Sequence, residues 1–212
     1  MKLNQYLKNP FFLFFLMISG ISLESKEVTP ATSISPKSQI TWLTVTKVKK
    51  PWFAWRGLVS SKMEKSIPEY QSIAGLEEKF YSFWEGTDRF GGIYFWRQKS
   101  DADAWFQQSW FDRTEKKYGE KGVVDSYSIL NSFVNPSLAQ KGENLYAILS
   151  YRNIDVKGDA TKEKSLVYHV SLIDSNQKKC SLMIWKDEKT AMENLSTTDS
   201  DELFYIPVFF RK

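Results

Sequence analysis

The sequence predicts an α+β protein in which two tandem β-α-β-β-α-β units, at residues 40–135 and 144–212, pack sheet against sheet. Three observations predict it: the order of strand and helix signals, a repeat at a spacing of 89 residues, and strands that are apolar on both faces.

The first unit opens with Ile40 to Val48, a β-branched run bounded by Lys49-Lys50-Pro51, which marks a strand. A helix is expected next. Pro51 suits a first helical turn, and Trp52, Trp55, Val59 and Met63 form one apolar stripe at helical period. Pro68 is expected to end or kink that helix, with Gly75 as a left-handed stop. Lys79–Glu85 and Gly92–Arg97 then read as two strands joined by the hairpin loop Gly86–Gly91. Ser100 with Asp103 resembles a capping box, and Ala102, Phe106 and Ser109 with Trp105 and Trp110 supply a helical face. Val123 to Leu130 closes the unit as its fourth strand. This is the ferredoxin-like order.

A shift of 89 residues lays Phe80–Phe106 over His169–Leu195 without a gap, matching Trp96 to Trp185, Ala102 to Ala191 and Phe106 to Leu195. Flanking strands recur at Asn144–Ser150 and Leu203–Phe210, but only about 16 residues separate the first two strands of the second copy. Its first helix is expected to be short or missing. Phe80-Tyr81-Ser82-Phe83-Trp84, Ile93-Tyr94-Phe95-Trp96 and Leu182-Met183-Ile184-Trp185 lack the alternation of a sheet with one wet face. Helices cover one face and a second sheet must cover the other, which makes the expected assembly a dimeric α/β barrel closed as an intrachain pseudo-dimer. A monomer is expected.

Composition narrows the functional classes. Net charge is +4, leaving +2 once Lys2 and Lys8 are set aside, and no Lys/Arg cluster interleaved with aromatics stands out, so a nucleic-acid groove is not expected. Aromatic residues reach 16% while mean hydropathy is −0.41, so the core is built of bulky rather than numerous apolar side chains. Lys2 and Lys8 precede an apolar run from Phe11 to Leu23 that is short for a bilayer span, which needs about 20 residues. Residues 1–22 therefore read as a cleaved export signal and 23–39 as a polar tether, placing the protein in the periplasm or outside the cell. If the signal is retained, that segment is the only membrane contact expected. The single Cys180 excludes an intramolecular disulfide and a cysteine-based zinc site, and no metal-spaced His/Asp/Glu group occurs.

Tyr70-Gln71, Ile73 with Gly75-Leu76, Lys79, Tyr81, Gly91-Gly92-Ile93-Tyr94 with Trp96, then Ala104, Phe106, Trp110 and Tyr118-Gly119 carry a resemblance. In these residues the first copy resembles the YdhR-like candidate monooxygenases of the dimeric α/β-barrel superfamily. The likeness covers roughly Ile40 to Leu130, and the second copy lacks the glycine pair. It implies oxidation of a small aromatic or polyketide-like compound without metal or flavin, the substrate carbanion itself reducing dioxygen. Such a site requires an apolar pocket, a base, and donors for an oxyanion.

Tyr81, Trp84, Tyr94, Trp96 and Trp110 are the candidate pocket residues, although core packing is the default for each. Lys79 and Arg113 are candidates for orienting an anionic substrate, against a snorkelling strand residue and a solvated helix face respectively. His169, placed at the position of Phe80, is the candidate general base or haem ligand, against a packed and hydrogen-bonded histidine. No cofactor is expected. The competing reading is a non-catalytic exported module that binds a hydrophobic ligand or a protein partner. A cavity with a buried polar group distinguishes the enzyme from a barrel filled by side chains.

Overall fold

A computed structural model describes residues 39–135, 139–152, 165–196 and 201–212. The expected export signal and nearly all of the tether lie outside the described residues, as does most of the stretch between Tyr151 and Leu166. The elements run β1 (Trp42–Lys49), α1 (Arg56–Gln71), β2 (Leu76–Trp84), β3 (Arg89–Trp96), α2 (Lys99–Trp105), α3 (Gln108–Tyr118) and β4 (Val123–Val134). They continue as β5 (Leu145–Ser150), β6 (Leu166–Asp174), β7 (Lys179–Trp185), α4 (Glu188–Asn194) and β8 (Asp201–Arg211).

The eight strands close into an antiparallel barrel in the order β1-β3-β2-β8-β5-β7-β6-β4. Read as halves, β4-β1-β3-β2 meets β8-β5-β7-β6, and the two arcs have the same internal order. Closure comes from β2 on β8 and β4 on β6. Both arcs carry a bulge at the same place, between Leu76 and Glu78 in one and Leu166 and Tyr168 in the other. The closing seams also break register alike, opposite Tyr81/Phe83 and at Ile129/Asn131. On β8 this break falls at Pro207, where a proline without an N–H is best tolerated.

Strand alternation sends two different apolar sets to the two faces. Inside the barrel, Leu43, Val45, Phe80, Ile93 and Phe95 meet Val167, Val170, Leu172, Leu182 and Ile184, all buried. The interior is a side-chain core. Outside, Leu76, Tyr81, Phe83, Tyr94 and Trp96 pack under the helices of the first half, while Ile148, Met183 and Trp185 pack with Ala191 of α4. This is the reason the strands read apolar on both faces.

Several local expectations are corrected. Trp52 and Trp55 are 93% and 68% exposed, and α1 begins only at Arg56. The face that α1 buries runs through Val59 and Met63 to Ser66 and Tyr70, past Pro68, which lies inside the helix rather than ending it. The helix stops at Ser72, and the left-handed Gly75 instead turns the chain into β2. Gln98, not Ser100, caps α2, without a side-chain hydrogen bond. The expected single helical face is split, because the backbone breaks at Phe106 and α3 restarts at Gln108, turning Phe106 and Trp110 edge to face at 5.1 Å.

The gapless 89-residue shift is also corrected by one residue. It holds on β3 and β7, where Trp96 opposes Leu76 and Trp185 opposes Leu166, but β2 and β6 are offset by 90. The second hairpin is the tighter one: Asp174 N–H donates to Lys178 O at 3.0 Å, and Gln177 takes a positive φ of 63°. His169 therefore opposes Met183 as Lys79 opposes Tyr94, and it is Val170 that matches Phe80.

Candidate active site

The outer face of the first half holds a cavity of about 510 Å³ between the sheet and helices α1 and α3. Lys79 projects into it from β2. Its neighbours on the same face are Tyr81, Thr46 of β1 and Tyr94 of β3, with Ser66 and Tyr70 descending from α1. Trp105 and Trp110 line the far side, and the exposed Lys62, Glu69, Arg113 and Lys117 sit at the rim.

Two glycines make room for the lysine. A Cβ at Gly91 would lie 2.0 Å from the carbonyl oxygen of Thr46, so β1 and β3 can approach this closely only with glycine there. At Gly92 a Cβ would meet the Cε of Lys79 at 3.0 Å, so the bare backbone is the bed across which the lysine stem lies. Trp110 is seated similarly over Gly122, whose N–H donates to Thr114 Oγ1 at 2.9 Å.

The electrostatics follow from burial. Lys79 is 2% exposed, with Nζ 3.0 Å from the ring centre of Tyr70, 3.8 Å from that of Tyr81 and 4.6 Å from that of Tyr94. Among the described residues no carboxylate pairs with it, and Glu69 acts only as a distant charge. Desolvation consequently holds the amine well below its ordinary pKa of 10.5. The phenols move the other way. Burial raises Tyr70, Tyr81 and Tyr94, so all three stay protonated and able to donate. Tyr81 shares a hydrogen bond with Ser66 Oγ at 2.9 Å, and the Tyr94 hydroxyl is bonded to those of Thr46 and Tyr70. The result is a weakly basic amine beside oriented hydroxyl donors in an aromatic cavity.

Five of the eight sequence candidates come together here: Lys79, Arg113, Tyr81, Tyr94 and Trp110. Three do not. Trp96 lies on the same outer face beside Tyr94 but outside the cavity lining, fully buried, stacked on Tyr94 at 5.9 Å and donating from Nε1 to Thr44 Oγ1 at 3.0 Å. Trp84 packs on the barrel core, against Phe204 and under Lys47 Nζ at 4.0 Å. His169 stands on the outer face of the other arc, beside Phe133 and Met183. Tyr70 and Trp105 were missed as cavity residues. The helical stripe would have reached Tyr70 had it been continued from Val59 and Met63 through Pro68. Among the described residues no group of three or more His, Cys, Asp or Glu is placed to hold a metal ion.

With this geometry in view, solved structures supply a comparison. An anthrone oxidase-like protein superposes with a TM-score of 0.52 at 9% identity, covering 82% of this chain and 94% of its own. A candidate monooxygenase from Fusobacterium nucleatum subsp. nucleatum gives 0.56 at 10% identity, covering 82% and 95%. Another from Lactobacillus acidophilus gives 0.52 at 13% identity, covering 82% and 97%. The chain shares the α/β-barrel fold of these proteins. At these identities the likeness concerns the fold alone. The sequence matches no family model and no curated protein.

Proposed function

We propose that this chain is an exported, YdhR-like monooxygenase that oxidises a small aromatic or polyketide-like compound in the Lys79 cavity. The observation that carries the reading is the buried amine of Lys79, which pairs with no carboxylate among the described residues and faces a cavity lined by tyrosine hydroxyls. Lys79 Nζ, its pKa lowered by burial, takes a proton from an acidic ring methylene. Tyr70, whose oxygen accepts from the Tyr94 hydroxyl, donates its own proton in a hydrogen bond to the oxygen on which the charge settles. The resulting carbanion gives its electrons to dioxygen, forming a C–O bond. Collapse of that peroxide releases water and leaves a ring carbonyl, so one methylene and one dioxygen become one carbonyl and one water. Arg113, Lys62 and Lys117 at the mouth attract an anionic substrate or phenolate.

In the same reading the halves are two tandem ferredoxin-like units, 40–135 and 144–212, and the second takes the place of a partner subunit. Cys180 and Ser181 stand where the first half has Gly91 and Gly92, and His169 stands in the register of Lys79, so the second half closes the barrel without repeating the site. The filled barrel interior is what favours the competing non-catalytic module, but the cavity lies outside that interior.

Oxygen consumption with a panel of anthrone-type and phenolic compounds tests the reading, with ¹⁸O₂ incorporation followed by mass spectrometry. Turnover by the wild type and its loss in Lys79→Met are expected. Turnover that survives Lys79→Met would remove the assigned base, and a cavity that retains compounds from native extract without oxidising any would favour the binding module.

A further inference from the structure

The segment between β1 and α1 carries three large apolar side chains in solvent: Trp52, Phe53 and Trp55 are 93%, 61% and 68% exposed. They are not a frayed end. Ala54 is buried beneath them, its N–H donates to Pro51 O at 2.9 Å, and Lys50 Nζ donates to Ala54 O at 3.0 Å, so the turn is fastened from below. Lys49, Lys50 and Lys117 border the groove alongside Trp52 and Phe53, with Asp88 and Glu120 also on its lining, the latter paired with Arg89, and the run is bracketed in sequence by Lys49-Lys50 and Arg56.

We propose that this turn docks the protein on an anionic lipid bilayer, with Trp52, Phe53 and Trp55 entering the interface and Lys49 and Lys50 meeting the headgroups. Exposed tryptophans flanked by cations suit the boundary between headgroup and acyl chain, where the indole is apolar on its body and polar at its N–H. A second protein fits less well. A stable protein interface needs about 800 Å² per partner, and among the described residues the other exposed large apolar side chains, Val123, Leu130, Val134 and Met192, lie on β4 and α4 rather than in this turn. Three protruding side chains with basic flanks satisfy a bilayer. Because Pro51, Phe53 and Ala54 also line the Lys79 cavity, docking would present the cavity mouth to the membrane, the phase in which small aromatic compounds concentrate.

The test uses the full chain with vesicles of phosphatidylcholine and phosphatidylglycerol whose acyl chains are brominated, which quench only tryptophans at the interface. Quenching of wild-type emission is expected, with most of it lost in the Trp52→Phe/Trp55→Phe variant, and several-fold less with phosphatidylcholine alone. An apolar N-terminal segment that reached the bilayer by itself would leave wild type and variant equally quenched, which would overturn the proposal. Equal quenching on neutral vesicles would overturn the anionic assignment. Light scattering without lipid covers the remaining occupant: a concentration-dependent dimer abolished by Trp52→Ala/Trp55→Ala would give the patch to a second copy of the chain and overturn the bilayer.

Discussion

Lys79 is the residue on which stability and chemistry pull apart. Its pKa in the folded protein lies well below 10.5 because the charged form is desolvated. Between that lowered value and about 10.5 the unfolded chain binds more protons than the native one, so stability rises with pH across this window. Below the window the full cost of burying the amine is present. Lys79→Met, similar in length and without the charge, is therefore expected to raise the melting temperature at neutral pH. The gain should shrink towards zero as the pH approaches 10.5, and thermal denaturation across pH measures it. A constant gain at all pH values would mean that packing, not desolvation, separates the two. Gly91 is sensitive for a different reason, since a Cβ there would overlap the Thr46 carbonyl at 2.0 Å. Gly91→Ala is expected to cost more than about 2 kcal/mol in denaturant unfolding, as backbone must move rather than a side chain.

At the scale of elements, the sequence was most legible where turns and strands decide the fold. The existence of the strands and of the two hairpins follows from periodicity and bounding residues, although β3 begins at Arg89, inside the loop expected at Gly86–Gly91. Helix boundaries were less legible. Trp52 and Trp55 fall at helical spacing from Val59, but the turn at Pro51–Ala54 takes them out of the helix, and periodicity carries no information on that. The Ser100 capping box failed similarly, whereas Asp187 caps α4, accepting from Thr190 N–H at 2.7 Å. The pair makes a direct comparison. Asp187→Ala is expected to destabilise by about 1 kcal/mol, and Ser100→Ala to change stability by only a few tenths. Equilibrium unfolding of both variants checks it. Part of the candidate site was legible for the same physical reason: Lys79, Tyr81 and Tyr94 alternate onto one strand face, whereas Trp84 and Trp96 were assigned by residue type without regard to which neighbours would cover them.

Across the whole molecule, the two arcs meet through their matched positions. Glu78 and Tyr168 occupy the same register in β2 and β6, and they hydrogen-bond to each other across the barrel interior. Arg211 joins them, its Nη2 donating to Tyr168 OH at 2.6 Å and its Nε lying 3.2 Å from Glu78 Oε1. At the opposite mouth Lys47 bridges Asp125 and Glu202, each at 2.9 Å, so β1, β4 and β8 are tied as well. Each arc supplies the apolar cover for the other, and among the described residues closure leaves no strand with an unpaired edge for another molecule to extend. If the second arc does take the role of a partner subunit, a monomer should follow, since the surface a single arc would use to dimerise is already occupied within the chain. The connection between the arcs also holds them at an effective concentration of roughly millimolar, which disfavours exchange between molecules. Light scattering over a wide concentration range, on protein lacking the N-terminal apolar run, should report a constant monomeric mass. A stable dimer that persists in Trp52→Ala/Trp55→Ala would require the arcs to have exchanged between chains, and a variant with Glu78→Leu and Arg211→Leu, which removes the polar lock but keeps the cover apolar, should then shift the monomer–dimer ratio; in a chain that closes on itself the same variant should change stability and leave the mass untouched.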